Sequence, residues 1–249
     1  MINFSGISSS GILGRFLRSL LKLVPRGLPI FIIQGPLKGK RWIVGAGDNN
    51  GFWLGSYELE TQRILEQNIS IGDVVYDIGA NVGFYTLLAS FLTGKRGQVL
   101  SFEPFPTNIR FLRRHILLNK FTNVSIFEAA IADKEGVMCF KEGVNSAEGR
   151  LSDEGNLQVK VMALDKLVRD KVIPPPQMMK IDVEGAELKL FEGASEVIKG
   201  YRPKIILSTH GEIVHDACIK YLQSMGYRLE AIPSTQSLEE TRSILAITK

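Results

Sequence analysis

One apolar stretch of the chain leads directly into a glycine-rich turn. Residues 74–78 form a short run rich in β-branched residues, which is typical of a buried parallel strand. The run breaks at Gly79, and an apolar segment typical of a helix follows Gly83. Because glycine has no Cβ, such a turn can bring the backbone close to a ligand. Asp77 then falls at the carboxyl end of the strand, where open α/β sheets bind their ligands.

The turn has the spacing Asp-x-Gly-x-Asn-x-Gly, which places Asp77, Gly79, Asn81 and Gly83 in one loop. Turns that bind dinucleotides follow the spacing G-x-G-x-x-G instead. A carboxylate before the first glycine suits a cationic ammonium or sulfonium group better than a pyrophosphate. The turn resembles motif I of the class I methyltransferases that depend on S-adenosylmethionine (SAM).

A second acid follows the next predicted strand. This strand, residues 99–102, ends in Glu103, and Pro104 stops it. A carboxylate at that point can accept hydrogen bonds from both hydroxyls of a ribose. Because NAD-dependent enzymes share this geometry, Glu103 alone leaves an NAD-dependent oxidoreductase open. The third predicted strand, residues 124–131, has small residues around Ala130 that leave room for an adenine ring.

Charged residues also follow the fourth predicted strand. Lys180, Asp182 and Glu184 alternate along the chain, so they share one side of the strand where it stays extended. Such charges are costly at the end of a central strand unless they pair or bind something, and Lys180 can simply pair with a carboxylate. The next strand, residues 204–209, leads into His210, whose ordinary pKa near ~6.5 suits acid–base chemistry. Asp182 and His210 are therefore the candidate catalytic residues, and a helix cap is the alternative role for His210.

Together these motifs resemble the FkbM family of SAM-dependent methyltransferases. The most discriminating block is residues 180–187, Lys-Ile-Asp-Val-Glu-Gly-Ala-Glu, which dehydrogenases do not carry. The resemblance implies an α/β fold with a doubly wound, Rossmann-like sheet of seven strands, the last of them antiparallel. It also implies an enzyme that methylates a hydroxyl group of a sugar, glycolipid or secondary metabolite. In one departure, this chain has Ser208 where the family tends to show an acid two residues before the histidine.

The resemblance implies that SAM lies over the carboxyl ends of the first strands. The residues predicted to bind it are Tyr57, Asp77, Gly79, Asn81, Gly83, Glu103, Pro104 and Ala130. The acceptor hydroxyl then loses its proton to Asp182 or His210. An alternative that we do not favour is a Mg²⁺ ion held by the oxygen ligands of Asp182 and Glu184.

The N-terminal part of the chain predicts an extension. Residues 1–54 are expected to form a helix and a β-hairpin, and residues 55–249 a single methyltransferase domain. Residues 11–24 have helical spacing and a basic face, which favours a helix that packs on the domain or caps a dimer. Contact with a membrane surface is the alternative for these residues. Residues 137–164 predict an inserted hairpin whose polar tip lies near the active face.

Composition sets limits on location and partners. The net charge of +4 is too small and too evenly spread to indicate nucleic acid as a partner. The chain has no run of about 18 apolar residues, so the sequence predicts no helix that spans a membrane. The two cysteines, Cys139 and Cys218, are far apart and indicate free thiols of a cytoplasmic protein. Two other functions stay open: an NAD-dependent oxidoreductase, and a SAM-binding module without activity at a membrane surface.

Overall fold

The computed structural model of the chain describes residues 21, 23–141, 150–151 and 157–248. Most of the predicted basic helix at residues 11–24 lies outside the described residues, and so does most of the predicted hairpin tip. The predictions made for those segments, including contact with a membrane surface, stay predictions.

The described part of the chain alternates strands and helices. The strands are β1 (Pro29–Phe31), β2 (Arg41–Ile43), β3 (Val74–Ile78), β4 (Gln98–Phe102), β5 (Val124–Phe127), β6 (Ala130–Ile131), β7 (Gly136–Lys141), β8 (Arg150–Leu151), β9 (Leu157–Met162), β10 (Met178–Ile181), β11 (Lys204–Ser208), β12 (Tyr227–Ile232) and β13 (Ser243–Thr248). The α-helices are α1 (Gly51–Leu54), α2 (Leu59–Asn68), α3 (Phe84–Thr93), α4 (Pro106–Asn119), α5 (Leu164–Arg169), α6 (Glu187–Gly193), α7 (Ser195–Tyr201) and α8 (Glu212–Ser224). A single 3₁₀ turn, Ala46–Asp48, precedes α1 in this part of the chain.

The main sheet has seven strands among the described residues, in the order β12-β13-β11-β10-β3-β4-β5. Strand β3 pairs in parallel with both β10 and β4, and these central strands are almost entirely buried. Helices cover both faces of such a sheet, which is why the strands are continuous apolar runs. Strand β13 is antiparallel to β11 and to β12. The predicted seven-stranded sheet with an antiparallel last strand is therefore confirmed.

The prediction of one strand over residues 124–131 is wrong. Strand β5 ends at Phe127, and Ala130–Ile131 belongs to a second sheet, in the order β6-β9-β7-β8. The Phe127 carbonyl accepts hydrogen bonds from the N–H groups of Glu103 (3.1 Å) and Ala129 (2.9 Å). This tight bend takes the chain out of the first sheet. In the second sheet β7 and β9 pair antiparallel, as an inserted hairpin requires.

The N-terminal hairpin packs on helix α4 through a buried histidine. Strands β1 and β2 pair antiparallel, and Trp42 stacks on the His115 ring with 3.8 Å between ring centroids. His115 Nε2 accepts a hydrogen bond from the Ile43 N–H at 3.1 Å, so Nδ1 carries the proton that it donates to the Val82 carbonyl at 2.8 Å. Burial lowers the pKa of His115 to about 4. A neutral histidine thus ties the hairpin to the glycine-rich turn, while the domain boundary at residue 55 stays a prediction.

None of the helices that the structure describes is both long and apolar enough to cross a membrane. Cys139 and Cys218 are free thiols, as predicted.

Candidate active site

The turn between β3 and α3 is packed against the end of β10. Gly79 has a φ of 80°, and a Cβ placed on it would lie 1.8 Å from the carbonyl oxygen of Asp182. Only glycine fits at this position, because an L side chain is disfavoured at that φ and has no space. Asn81, with a φ of 50°, is also in the left-handed region. Residues with side chains persist in this region only when their surroundings hold them, which is common at functional sites.

The N–H groups of residues 79–83 all donate to acceptors within the protein. Those of Gly79 and Ala80 donate to the Phe102 carbonyl, at 2.9 and 3.0 Å. The Asn81 N–H donates to Glu103 Oε2 at 2.7 Å, and the remaining two donate within the turn. The turn is therefore closed on itself and on the end of β4.

Asp77 lies in β3, two residues before the first glycine of the turn. Its side chain is buried between the sheet and α3, and Oδ2 accepts a hydrogen bond from the Thr86 hydroxyl at 2.6 Å. Burial raises the pKa of Asp77, although the nearby Lys180 charge and the Thr86 hydroxyl oppose this effect. The Asp77 side chain is therefore held by a hydrogen bond from α3 and by the nearby charge of Lys180.

Glu103 braces the same turn from the end of β4. It is buried, and in addition to Asn81 it accepts a hydrogen bond from the Phe105 N–H at 2.9 Å. Burial raises the pKa of Glu103 to about 7, against the effect of these hydrogen bonds. Pro104 is half-buried directly after it, and Ala130 is half-buried at the start of β6. The structure thus brings the Glu103 carboxylate into contact with the backbone of Asn81, and the roles predicted for both residues toward a ligand stay predictions.

A pocket opens between the turn, the aromatic residues before β3 and the end of β10. Its lining consists of Phe52, Tyr57, Gly79, Ala80, Asn81, Val82, Phe84, Tyr85, Lys180, Asp182 and Glu184. Four of the predicted site residues, including Tyr57 and Asp182, thus share one cavity. Burial, followed by the charge of the adjacent Glu58, raises the pKa of the Tyr57 hydroxyl. That hydroxyl therefore stays protonated and can donate a hydrogen bond.

A buried lysine anchors the charged side of the pocket. Lys180 is 3% exposed, and its Nζ lies 2.8 Å from Asp182 Oδ2 and 4.8 Å from the centre of the Tyr85 ring. Burial lowers the pKa of Lys180, but the charges of Asp182 and Asp77 outweigh it, so the pKa is raised overall. Pairing with a carboxylate, the structural role considered from the sequence, is thus what Lys180 does.

His210 completes an acidic cluster with residues that follow β10. Its Nε2 lies 3.3 Å from Glu184 Oε2 and 3.6 Å from Asp182 Oδ1, and its Nδ1 lies 2.8 Å from Glu187 Oε1. Strands β10 and β11 are parallel neighbours, which brings the segments after them together. Burial lowers the pKa of His210, but the hydrogen bond to Glu187 and the neighbouring carboxylates raise it overall. The structure therefore brings the two candidate catalytic residues together: Asp182 lines the pocket, and His210 lies beside Asp182 without belonging to the lining.

The same cluster has the composition of a cation site. Asp182, Glu184 and His210 can each offer one ligand atom, and the three atoms lie within 4.8 Å of one another. Glu184 reaches this position because its backbone turns into the left-handed region, with a φ of 50°. Two carboxylates and an imidazole are compatible with several divalent metal ions.

Comparison with known proteins decides the family. The model of the FkbM methyltransferase domain matches residues 77–229. The chain belongs to this family. The resemblance noted from the sequence is therefore confirmed, and the match spans the turn, the acidic block and His210.

Relatives of this FkbM-family chain act on different acceptors. It is 26% identical over 144 residues to the hexuronic acid methyltransferase AglP of Haloferax volcanii, a match that covers 57% of this chain and 58% of AglP. It is 25% identical over 159 residues to the 31-O-demethyl-FK506 methyltransferase FkbM of Streptomyces tacrolimicus, covering 50% of this chain and 60% of that protein. The matches therefore span less than two thirds of the length of either relative.

A solved structure of the same family supports the fold. The methyltransferase FkbM from Methylobacillus flagellatus KT has a TM-score of 0.50 and 16% identity, covering 81% of this chain and 56% of that one. At this identity the likeness shows the fold alone.

The sequence of this FkbM-family chain alone assigns no role to Glu187 or His115. Glu187 was part of the discriminating block, but its role depends on the position of His210, 23 residues further along the chain. His115 was not singled out, because its partners are 72 and 33 residues away. The one sequence feature that points to Glu187 is its position as a carboxylate in the first turn of the helix after β10.

Proposed function

We propose that this FkbM-family chain transfers a methyl group from SAM to a hydroxyl group of a sugar, glycolipid or secondary metabolite. The observation that carries the proposal is the position of Asp182 in a pocket that the turn at residues 79–83 borders, with His210 Nε2 3.6 Å from Asp182 Oδ1. This arrangement puts a candidate donor site and candidate proton acceptors side by side.

The residues of the pocket fit a cationic donor. The lining includes the carboxylates of Asp182 and Glu184, and the buried Lys180 already pairs with Asp182. When bound, SAM supplies a methyl group carried on a sulfonium sulfur. As the acceptor oxygen forms its bond to the methyl carbon, the C–S bond breaks and the sulfur keeps the electron pair of that bond. On this proposal the turn and Tyr57 hold the amino-acid part of SAM, Glu103 and Pro104 hold the ribose, and Ala130 lies at the adenine.

The same contacts disfavour an NAD-dependent oxidoreductase. A pyrophosphate is bound at such turns by free backbone N–H groups. Here the N–H groups of residues 79–83 donate to protein acceptors, and carboxylates line the pocket that the turn borders. Both features oppose a ligand with two negative phosphates.

The protein's task at the acceptor is to align a hydroxyl and remove its proton. Alignment of reacting groups can supply ~7–11 kcal/mol in favourable cases. A hydroxyl is a poor nucleophile until its proton is transferred, and Asp182 and His210 are the groups placed to receive it. On this proposal one of them acts as the general base.

The test combines ligand binding with an acceptor screen. Isothermal titration should show binding of SAM and not of NAD to the purified protein. Labelled SAM would then be offered with glycans, glycolipids and hydroxylated secondary metabolites, and labelled product is expected with at least one class. Asp182→Asn and His210→Ala should each lower turnover, and His210→Ala should do so at unchanged SAM affinity, because His210 is not part of the pocket lining. Tight binding of NAD without SAM, or full activity in both variants, would contradict the proposal, and SAM binding without any turnover would favour the non-catalytic module.

A further inference from the structure

The segments that lead into β3, β4 and β5 each expose one large apolar side chain. These side chains belong to Ile71 (69% exposed), Phe91 (44%) and Leu117 (78%). None of the three lines the pocket of the candidate active site.

Hydrogen bonds hold these segments side by side. The Gly72 N–H donates to the Thr93 carbonyl at 2.9 Å, and Asn123 Nδ2 donates to the Gly94 carbonyl at 2.9 Å. A Cβ placed on Gly94 would lie 3.8 Å from Ile71 Cγ2. The exposed apolar side chains therefore belong to one surface at the amino ends of these strands. Large apolar side chains that share an exposed surface mark a contact with another molecule or with a membrane.

Cations accompany the apolar side chains of this surface. Lys95, Arg96 and Lys120 are exposed in the loops that enter β4 and β5. Lys40, from the N-terminal hairpin, places its Nζ 5.1 Å from the centre of the Phe91 ring.

In the part of the chain that the structure describes, no carboxylate forms an ion pair with these cations. Residues 91–97 and 117–123 contain no Asp or Glu. The neighbouring segment before β3, residues 69–73, contains one acid, Asp73, and its Oδ2 accepts a hydrogen bond from the Ser70 N–H at 2.7 Å. The surface therefore has a net positive charge beside its apolar side chains.

We propose that this surface docks on a membrane that carries anionic phospholipids. This basic face consists of Ile71, Phe91, Lys95, Arg96, Leu117 and Lys120. Its apolar side chains enter the boundary between headgroups and acyl chains, and its cations bind the phosphates. The inference is independent of the proposed methyl transfer, because none of these residues lines the pocket.

The composition of the basic face favours a membrane over other anionic partners. A single-stranded nucleic acid is bound through exposed aromatic rings on which its bases stack. Phe91 is the one aromatic residue of the basic face, and Lys40 already lies over its ring. Lysine and arginine suit a membrane, because their apolar stems can lie among acyl chains while their charged ends reach the headgroups.

Docking through the basic face leaves the candidate active site open to solution. Ile71 precedes β3, and the glycine-rich turn at residues 79–83 follows it. Strand β3 has five residues, so at ~3.3 Å each its two ends are roughly 16 Å apart. The pocket therefore lies at the opposite edge of the sheet from the membrane.

Vesicle sedimentation of the full chain measures the interaction. We expect the protein to sediment with vesicles of phosphatidylcholine and phosphatidylglycerol in equal parts, and not with vesicles of phosphatidylcholine alone. Salt should weaken this binding, because it screens the exposed cations. Failure to bind the anionic vesicles would overturn the inference.

Removing charges from the basic face should weaken binding more than removing them elsewhere. Each Lys or Arg near an anionic membrane surface strengthens binding about 5-fold, so Lys95→Gln combined with Lys120→Gln should weaken it about 25-fold. The matched control combines Lys160→Gln with Lys220→Gln, which removes the same charge from exposed positions on β9 and α8. We expect the control to bind like the wild type. Equal losses in the two double variants would show an effect of net charge alone and would overturn the inference.

A second pair of variants tests the apolar part of the contact. Leu117→Ser removes an exposed apolar side chain of the basic face, and Ile213→Ser does the same at an 86% exposed position of α8, which follows the carboxyl end of β11. We expect Leu117→Ser alone to weaken vesicle binding, by about 10-fold, because a leucine side chain leaves water when it enters the membrane. Urea unfolding should give all these variants the stability of the wild type, because the changed side chains are exposed.

Three results would assign the contact elsewhere, and each would overturn the inference. Vesicle binding by both basic-face variants as tight as that of the wild type would place the contact in another segment, such as residues 11–24. Self-association that Leu117→Ser abolishes, without vesicle binding, would make the basic face a contact between two copies of the chain. Binding of labelled single-stranded RNA that the Lys95 and Lys120 substitutions abolish, without vesicle binding, would make the partner a nucleic acid.

Discussion

The carbonyl oxygen of Asp182 packs directly on Gly79, so close that a Cβ on Gly79 would lie 1.8 Å from it. The Asp182 N–H also donates to the Ile78 carbonyl at 2.9 Å. These two contacts join the turn of the candidate donor site to the strand end that carries the candidate base. The position of one site therefore depends on the backbone of the other.

Gly79→Ala should disrupt the site, whereas Gly185→Ala should not. Both glycines have a positive φ, 80° and 94°, but no atom lies within 4 Å of a Cβ at Gly185. A left-handed backbone alone costs about 1–2 kcal/mol for alanine. At Gly79 the backbone clash adds to this, and we expect a total loss above about 3 kcal/mol. Urea unfolding and SAM titration of both variants would measure it, and equal losses would show that the close approach does not matter.

Removing the positive charge of the buried Lys180 should destabilise the protein. Lys180→Met leaves Asp182 without its partner at 2.8 Å and leaves the buried Asp77 without the nearby positive charge. Breaking a buried ion pair by removing one partner typically costs about 3–5 kcal/mol. The control is Lys166→Met, whose pair with Asp170 is exposed and should leave stability unchanged. Denaturant unfolding of the two variants tests this, and similar stabilities would contradict the role given to Lys180.

The sequence predicts the sheet well because its signal is local. Apolar runs that end in glycine or proline mark β3 and β4, and neighbouring parallel strands bring their ends together. The partner of a buried acid depends on how the next helix packs on the sheet, which is why the sequence does not predict the hydrogen bond from Thr86 to Asp77. Nor does it predict that β5 ends early, because that bend depends on the Glu103 backbone, which binds the Phe127 carbonyl. Pairwise contacts across the fold, rather than local patterns, decide these features.

Glu103 should make the protein less stable as the pH rises from about 4.5 to about 7. Its pKa is raised by burial from 4.5 to about 7, so the folded state holds this proton more tightly than the unfolded state. Stability therefore falls across this interval, by at most about 3.5 kcal/mol, since one pKa unit corresponds to about 1.4 kcal/mol. Glu103→Gln has no such proton. The unfolding free energy of wild type and variant would be measured from pH 4 to 8. The difference between the two should change across the interval from about pH 4.5 to about 7, and parallel profiles would contradict the raised pKa of Glu103.

Chelation separates a general base from a metal site at Asp182, Glu184 and His210. We expect methyl transfer to survive EDTA, because Lys180 already pairs with Asp182 and neutralises one carboxylate of the cluster. Labelled SAM with and without chelator gives the first measurement, and titration of the chelated protein with Mn²⁺ gives a second that does not depend on activity. Glu184→Gln is the matched control, since it removes one candidate ligand and keeps Asp182 and His210. Two results together would identify the cluster as a metal site and His210 as a ligand rather than the base. The first is that EDTA abolishes the activity of the wild type and Mn²⁺ restores it, and the second is that Glu184→Gln weakens Mn²⁺ binding.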